Sequence, residues 1–346
     1  FSHLDSQLRV VKYSSNFSGN LSYENLKNHL FVDENIPYRT TYYNQNWGFC
    51  LNRNEFDSLN SSSSFRIKIN SKKKADFLYY GEKFLKGKSK KEILFTTYIC
   101  HPGLVNDNLS GVASMISLIQ FLESKKSLNY SYRCIIIPET IGAISYLSEN
   151  SNENTVIGLN IHCMSGDGPI TFKKSPNKDS NLNYLLEEFS SEIDIRSFEP
   201  FGSDERQFCS KNVNLDYGSL SRTPYGEFPE YHNSADSIDN YKINYHHSIN
   251  KFLERLVVNI DSTEFIKCSE KYSNTKGELF LSKHNLYRKI GGVSNISNDK
   301  MNIINWTLYL SRNQFVSLEL IRKHANLDLA FIKDVVSELK SKGLLE

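Results

Sequence analysis

The stretch from Lys91 to Gln120 restricts what this chain can fold into more than any other. Ile93-Leu94-Phe95-Thr96-Thr97-Tyr98-Ile99 reads as a strand buried on both faces, and it stops at Cys100-His101-Pro102-Gly103. After the loop Leu104-Val105-Asn106-Asp107-Asn108, apolar residues recur at helical spacing at Val112, Met115, Ile116, Ile119 and Phe121. A strand, loop and helix in this order predict an α/β sheet. They place His101 and Asp107 on the edge outside the carboxyl ends of the strands, where such sheets hold ligands. An imidazole nitrogen and a carboxylate oxygen are donors that zinc accepts. Taken alone, the stretch has a plainer reading too: Pro102-Gly103 as a strand terminator, and Asp107 or Asn108 as a helix cap.

The alternation continues. From about Ser89 to Glu270, strands are expected at Arg133–Ile137, Val156–His162 and Asn214–Ser219. Helices are expected at Leu109–Ser124, Thr140–Ser148, Ser180–Glu192 and Tyr245–Val258. That rhythm predicts a largely parallel sheet with helices on both faces over residues 88–272. Residues 1–87 lack it. They are aromatic and β-rich, with strands suggested at Arg9–Tyr13, Tyr38–Tyr43, Phe65–Ile69 and Phe77–Tyr80, and they read as a small separate module. In residues 273–346, a polar linker with Gly277 and a loop at Gly291-Gly292 precede three amphipathic segments, Asn302–Leu310, Ser317–His324 and Asp328–Lys342. That layout predicts a winged helix. Its last helix sets Asp334 and Glu338 against Lys333, Lys340 and Lys342, so it has no basic face for DNA, and a packing or protein-contact role is expected instead.

Composition narrows the function classes. A net charge of +2 over 346 residues argues for neither nucleic acid nor an anionic membrane surface. No stretch is long and apolar enough to span a bilayer. The six cysteines, Cys50, Cys100, Cys134, Cys163, Cys209 and Cys268, form no CxxC pair, which favours a reducing, cytoplasmic setting over a disulfide framework.

Further polar residues fall at the ends of the expected strands. Cys134-Ile135-Ile136-Ile137 runs into Pro138-Glu139-Thr140; Glu139 is placed either to act as a general base beside a cation or to complement the start of a helix. Val156–Ile161 ends at His162, which suits an additional metal ligand or a hydrogen-bonded core residue. After the aromatic and proline loop Thr223–Pro229, Tyr231-His232-Asn233-Ser234-Ala235-Asp236 offers His232 as a ligand at a cleft rim, with Asp236 holding local structure. Gly202-Ser203-Asp204-Glu205-Arg206 and Arg222 supply charge with no apolar periodicity. Asp204, Arg206, Arg222 and Tyr225 are the candidate substrate-binding residues, the arginines suiting a carboxylate or phosphate or an exposed loop.

The order His101, Asp107, Glu139 and a distant His232 in an α/β domain resembles the M28-type zinc aminopeptidase superfamily. Cys100-His101-Pro102, Asn106-Asp107-Asn108-Leu109-Ser110-Gly111, Gly202-Ser203-Asp204-Glu205-Arg206 and Arg222-Thr223-Pro224-Tyr225-Gly226 resemble, more specifically, the aminopeptidase-like proteins that accompany polysaccharide biosynthesis. The resemblance implies a zinc-aminopeptidase-like (phosphorylase/hydrolase-like) sheet, an inserted β-rich domain, a C-terminal winged helix, and further sequence before Phe1. It implies metal ligands at His101, Asp107 and His232, a general base at Glu139, and hydrolysis of an amide bond in a small peptide or an acylated amino sugar. Thr140 departs from the superfamily, which has a second glutamate there to bind a second metal. One zinc per chain is therefore expected, unless His162 supplies the missing ligand. The alternative is an inactive binding or scaffold protein of polysaccharide biosynthesis, with a protein partner on the winged helix.

Overall fold

The computed structural model describes residues 8–72, 74–99, 101–273, 281–287 and 297–346; Cys100, Gly277 and Gly291-Gly292 lie outside these residues. Four short strands come first, β1 (Phe17–Ser22), β2 (Leu30–Asp33), β3 (Phe49–Asn52) and β4 (Ser64–Ile69). β1 pairs antiparallel with β4, and β2 pairs parallel with β3. Trp47 stacks between Phe17 and His29, with ring centroids 4.3 and 3.8 Å away, and closes a small core with Leu26, Ile67 and Ile69. The strands expected at Arg9–Tyr13 and Tyr38–Tyr43 are reduced to isolated bridges, because each meets its partner at only one residue.

A seven-stranded sheet dominates the molecule. Its strands are β5 (Gly81–Leu85), β6 (Glu92–Tyr98), β7 (Ser131–Ile137), β8 (Thr155–Ile161), β9 (Thr171–Lys173), β10 (Asp194–Arg196) and β11 (Tyr217–Ser221). The spatial order is β10-β9-β11-β8-β6-β7-β5. The central β11, β8, β6 and β7 run parallel, so their carboxyl ends share one edge. β5 is an antiparallel edge strand on β7 and begins directly after the Phe77–Tyr80 stretch expected to be extended. The short β9 and β10, which sequence periodicity does not reveal, continue the sheet on the other side.

Helices cover both faces. On one, α3 (Ser110–Glu123), α5 (Asn181–Glu187) and α7 (Ile243–Ser262) bury Met115, Leu118, Leu182, Leu185, Phe252 and Leu256 against Ile93, Phe95 and Leu159. On the other, α4 (Ile141–Glu149) and α6 (Glu205–Phe208) set Ala143, Tyr146 and Phe208 against Leu94, Ile135 and Tyr217. The alternation of Ile93, Leu94 and Phe95 between these two cores is the period-two signature of a strand buried on both sides.

The C-terminal residues form a third core. α9 (Asn298–Leu310), α10 (Leu318–Ala325) and α11 (Leu329–Ser341) pack Ile303, Ile321, Val335, Leu339 and Leu344 together. Ser317 and Asp328 cap α10 and α11 through their side chains, as the sequence pattern requires. A short ladder joins this unit to the main domain: Phe265–Ile266 pairs with Val316–Ser317, and Cys268 bridges Leu345. Among the described residues no helix is long and apolar enough to cross a membrane.

Candidate active site

Three elements of the parallel edge converge. His101 follows β6, Asp107 lies in the loop that enters α3, and His232 lies on the long loop after β11. The backbone that presents them is held by specific bonds. The Asn106 side chain accepts from Ser165 N–H at 2.9 Å, and Ser110 Oγ accepts from Met164 N–H at 2.8 Å. Asn108 donates to the Tyr98 carbonyl and accepts from Cys163 N–H. Gly111 is obligatory here, since a Cβ would lie 2.4 Å from Asn108 and 2.6 Å from Thr97. From the opposite loop, the Asp236 carboxylate accepts from Asn106 N–H at 2.5 Å and Asp107 N–H at 2.9 Å, the local structural role expected of it.

Among the described residues, His101, Asp107 and His232 are the one group of three or more ligand-type side chains whose donor atoms all lie within 4.8 Å of one another. Asp107 is fully buried, and its two oxygens have different tasks. Oδ1 accepts from the Tyr98 hydroxyl at 2.6 Å. Oδ2 lies 3.0 Å from His232 Nε2 and 3.5 Å from His101 Nδ1. Yet neither Oδ2 nor His232 Nε2 completes a hydrogen bond. Two buried polar atoms left so would cost about 1–3 kcal/mol each; atoms aimed at a common point, as ligands are, fit a cation between them. Two imidazoles and one carboxylate suit zinc, with a fourth position left for water or substrate.

The electrostatics agree with that donor set. Burial lowers the proton affinity of His101, the Asp107 carboxylate opposes the effect, and His232 adds to it. Burial alone would raise the Asp107 carboxyl, but the adjoining His232 and His101 rings and the Tyr98 hydroxyl outweigh it and keep the carboxyl below its ordinary value. His101 is thus biased toward neutral imidazole and Asp107 toward ionised carboxylate, the forms that bind a metal.

Glu139 follows β7 and is close enough for its charge to raise the proton affinity of His101 and Tyr98. Its Oε1 accepts from Ser203 Oγ at 2.9 Å. Thr140, at a φ of 61°, turns its N–H to Asp204 Oδ1 at 2.7 Å. Ser203-Asp204 thereby grips Glu139-Thr140 at both residues. A β-branched residue at positive φ is strained and persists only where its surroundings fix it. Asp204 is buried, and burial pushes its carboxyl up to about 7 against the Thr140 hydrogen bond, with Glu139 and Glu205 adding to the rise.

The other sequence candidates separate. His162 is fully buried at the end of β8 and stands outside the ligand group; its ring lies against Tyr98 and Tyr225, with centroids 5.9 and 5.7 Å away. Tyr225 lines a cavity beside it. Asp204 lies beneath the Glu139 turn rather than in that cavity lining. Arg206 is exposed on α6, outside the lining. Arg222 faces α7, donating to Ser248 Oγ at 2.7 Å with its guanidinium over the Tyr245 ring.

Sequence reasoning missed Tyr38, Tyr98 and Ser203. Tyr98 reads as one more apolar strand residue, and Ser203 as a loop serine inside a flagged motif. Tyr38, from the N-terminal region, presents its ring edge to both imidazoles, with centroids 5.0 Å from His101 and 5.3 Å from His232. No local pattern marks such a contact.

The family described as "Domain of unknown function (DUF4910)" matches residues 31–263. A Clostridium acetobutylicum protein, provisionally named a polysaccharide biosynthesis protein with aminopeptidase-like domain, is 36% identical over 338 residues, covering 92% of this chain and 74% of its own. A crystal structure of a provisionally assigned peptidase from Clostridium acetobutylicum superposes with a TM-score of 0.73 at 32% identity, over 100% of this chain and 79% of that one. BSAP, a zinc aminopeptidase from Bacillus subtilis, shares the fold: TM-score 0.53, 16% identity, 71% of this chain and 69% of that one.

Proposed function

The chain belongs to this DUF4910 family of aminopeptidase-like proteins, and from that membership and the His101–Asp107–His232 cluster we propose that it is a zinc-dependent hydrolase of an amide bond. One observation carries the reading: the buried Asp107 Oδ2 and His232 Nε2 face each other within ligand distance, with His101 alongside, and neither completes a hydrogen bond.

Bound by these three residues, zinc supplies Lewis acidity toward a carbonyl oxygen and toward water. The chain's own residues do the rest. Glu139, its Oε1 fixed by Ser203, accepts a proton from the attacking water and returns it to the amine nitrogen as the C–N bond breaks. Tyr98 holds Asp107 Oδ1 so that Oδ2 points to the cluster. The Tyr38 ring packs at a steep angle against both imidazoles and helps fix their orientation.

Elemental analysis of protein purified without chelator tests the reading on wild type and on His101→Ala, His232→Ala and His162→Ala. About one zinc per chain, lost in the first two variants and retained in the third, supports it. No stoichiometric metal after zinc is added back would overturn it. That outcome would favour an inactive binding or scaffold protein of polysaccharide biosynthesis, a reading that Thr140, standing where the superfamily has a second carboxylate, already motivates.

A further inference from the structure

The face of the sheet that carries α4 and α6 changes character at Tyr217. As far as that residue it is apolar, with Leu94, Ile135 and Tyr217 under the helices. Beyond it, over β11, β9 and β10, the side chains on the same face are Ser219, Ser221, Thr171, Lys173 and Arg196. Their alternates Leu220, Phe172 and Ile195 enter the main core on the other face. This polar face floors a cavity of about 330 Å³, within the range of small-molecule sites. His162 links it to the candidate active site, lining the cavity on one side and lying against Tyr98, the Asp107 partner, on the other.

The chemistry of the lining is specific. Ser219 and Ser221 are each 4% exposed and, among the described residues, form no side-chain hydrogen bond. His162 Nδ1 is likewise buried without a partner. The cations are already neutralised. Lys173 Nζ pairs with Glu205 at 2.7 Å, and Arg196 pairs with Asp194 and Glu227. No bare cation is left to recruit an anion, and the Glu199 carboxylate at the lining is a further acceptor for hydroxyl groups. The rings of Phe201 and Tyr225 add an aromatic wall. Paired cations, open hydroxyls and an aromatic wall are a poor match for an aliphatic side chain. They match a neutral group that offers many hydroxyls and one apolar ring face.

We infer that this cavity is a sugar subsite: it receives a neutral, polyhydroxylated ring of the substrate, hydrogen-bonded by Ser219, Ser221 and His162 and stacked on Tyr225 and Phe201. The inference rests on the proposed hydrolase reading for the position of the scissile bond, but the subsite's own chemistry does not require a metal.

Binding of N-acetyl-D-glucosamine and of L-leucinamide, followed by ligand-observed NMR titration on metal-loaded and chelator-treated protein, tests it. The sugar is expected to bind both forms. Ser219→Ala with Ser221→Ala should weaken it about tenfold or more, and Phe201→Ala, on the exposed rim, should weaken it severalfold, with zinc content unchanged in each variant. Leucinamide should show no dependence on the serines. Absence of sugar binding, or sugar binding indifferent to these substitutions, would overturn the subsite. Zinc content is read separately, so loss of the metal reading and loss of the subsite are distinct results.

Discussion

The backbone N–H of Tyr38 donates to the carbonyl of His232 at 2.7 Å. Around it, Ile36 and Ser234 exchange two further bonds, Ser234 N–H to the Ile36 carbonyl at 2.9 Å and Ile36 N–H to Ser234 Oγ at 3.1 Å. A candidate ligand at positive φ, with a side chain about one-third exposed, is thus fixed by a segment nearly two hundred residues away in sequence. Replacing Tyr38 by alanine keeps that backbone bond but removes the ring that packs beside both imidazoles. Zinc affinity should fall about 10- to 100-fold by competition with a chelating dye, and loss of the ring's packing against Leu8, Val11 and Ile36 should make the metal-free protein less stable as well.

Tyr98→Phe removes the close hydrogen bond to Asp107 Oδ1 while conserving the ring, leaving only the weak contact from Cys163 Sγ at 3.9 Å. Zinc affinity should drop about tenfold. The metal-free protein should lose about 1–3 kcal/mol in denaturant unfolding, because a buried carboxylate oxygen keeps only a weak thiol donor.

Glu139→Gln keeps an acceptor for Ser203 and abolishes proton transfer. Hydrolysis of a cleavable amide should fall about 10²- to 10⁴-fold with zinc content intact. Ser203→Ala, which removes one hydrogen bond to the carboxylate but leaves the carboxylate in place, should cost much less.

Metal removal should be visible as stability. Saturating zinc at about one hundred times its dissociation constant stabilises by about 2.7 kcal/mol, so the melting temperature should fall on chelation and recover on adding zinc. The gain should shrink as the solution is acidified, because metal binding needs deprotonated ligands. A melting curve indifferent to chelator would contradict the cluster.

Asp204 sets a pH dependence of known sign. Its folded value of about 7 lies above the ordinary carboxyl value of 3.8, so the native state binds the extra proton between those limits. Stability is then highest in acid and declines as pH rises through about 7, by up to about 4 kcal/mol from this group. Asp204→Asn retains an acceptor for Thr140 N–H and should flatten that decline relative to wild type in denaturant titrations at pH 5 and pH 8.

The legibility of this chain in its sequence follows the length of its signals. The central strands at Ile93, Arg133 and Val156 and the helices after the first two carry strong periodicity and fall within a residue or two of their observed ends, whereas the helix expected at Ser180–Glu192 ends at Glu187. His101 and Asp107 can be placed on one edge from the strand, loop and helix order, while His232 is marked by its loop motif and the family resemblance; the structure brings those three side chains together. Thr171–Lys173 and Asp194–Arg196 are three residues each, too short for any period to show. The cavity they floor was unreadable with them. Arg222 shows the opposite failure: a cation beside a promising motif looks like a ligand clamp until the fold turns it to Tyr245 and Ser248.

The pairing of β5 with β7 bears on how far this chain can be divided. Gly81–Leu85 belongs by sequence to the N-terminal region but by hydrogen bonding to the large sheet. A fragment beginning just after it would expose the backbone of Ser131–Ile137 as a bare apolar edge, a template for intermolecular strand addition. The same cut would discard the amides and carbonyls that hold His232. The N-terminal region is thus not a detachable appendage but a splint laid across the sheet's margin and its chemistry, and grafting or trimming at that seam should yield aggregation rather than a smaller working protein.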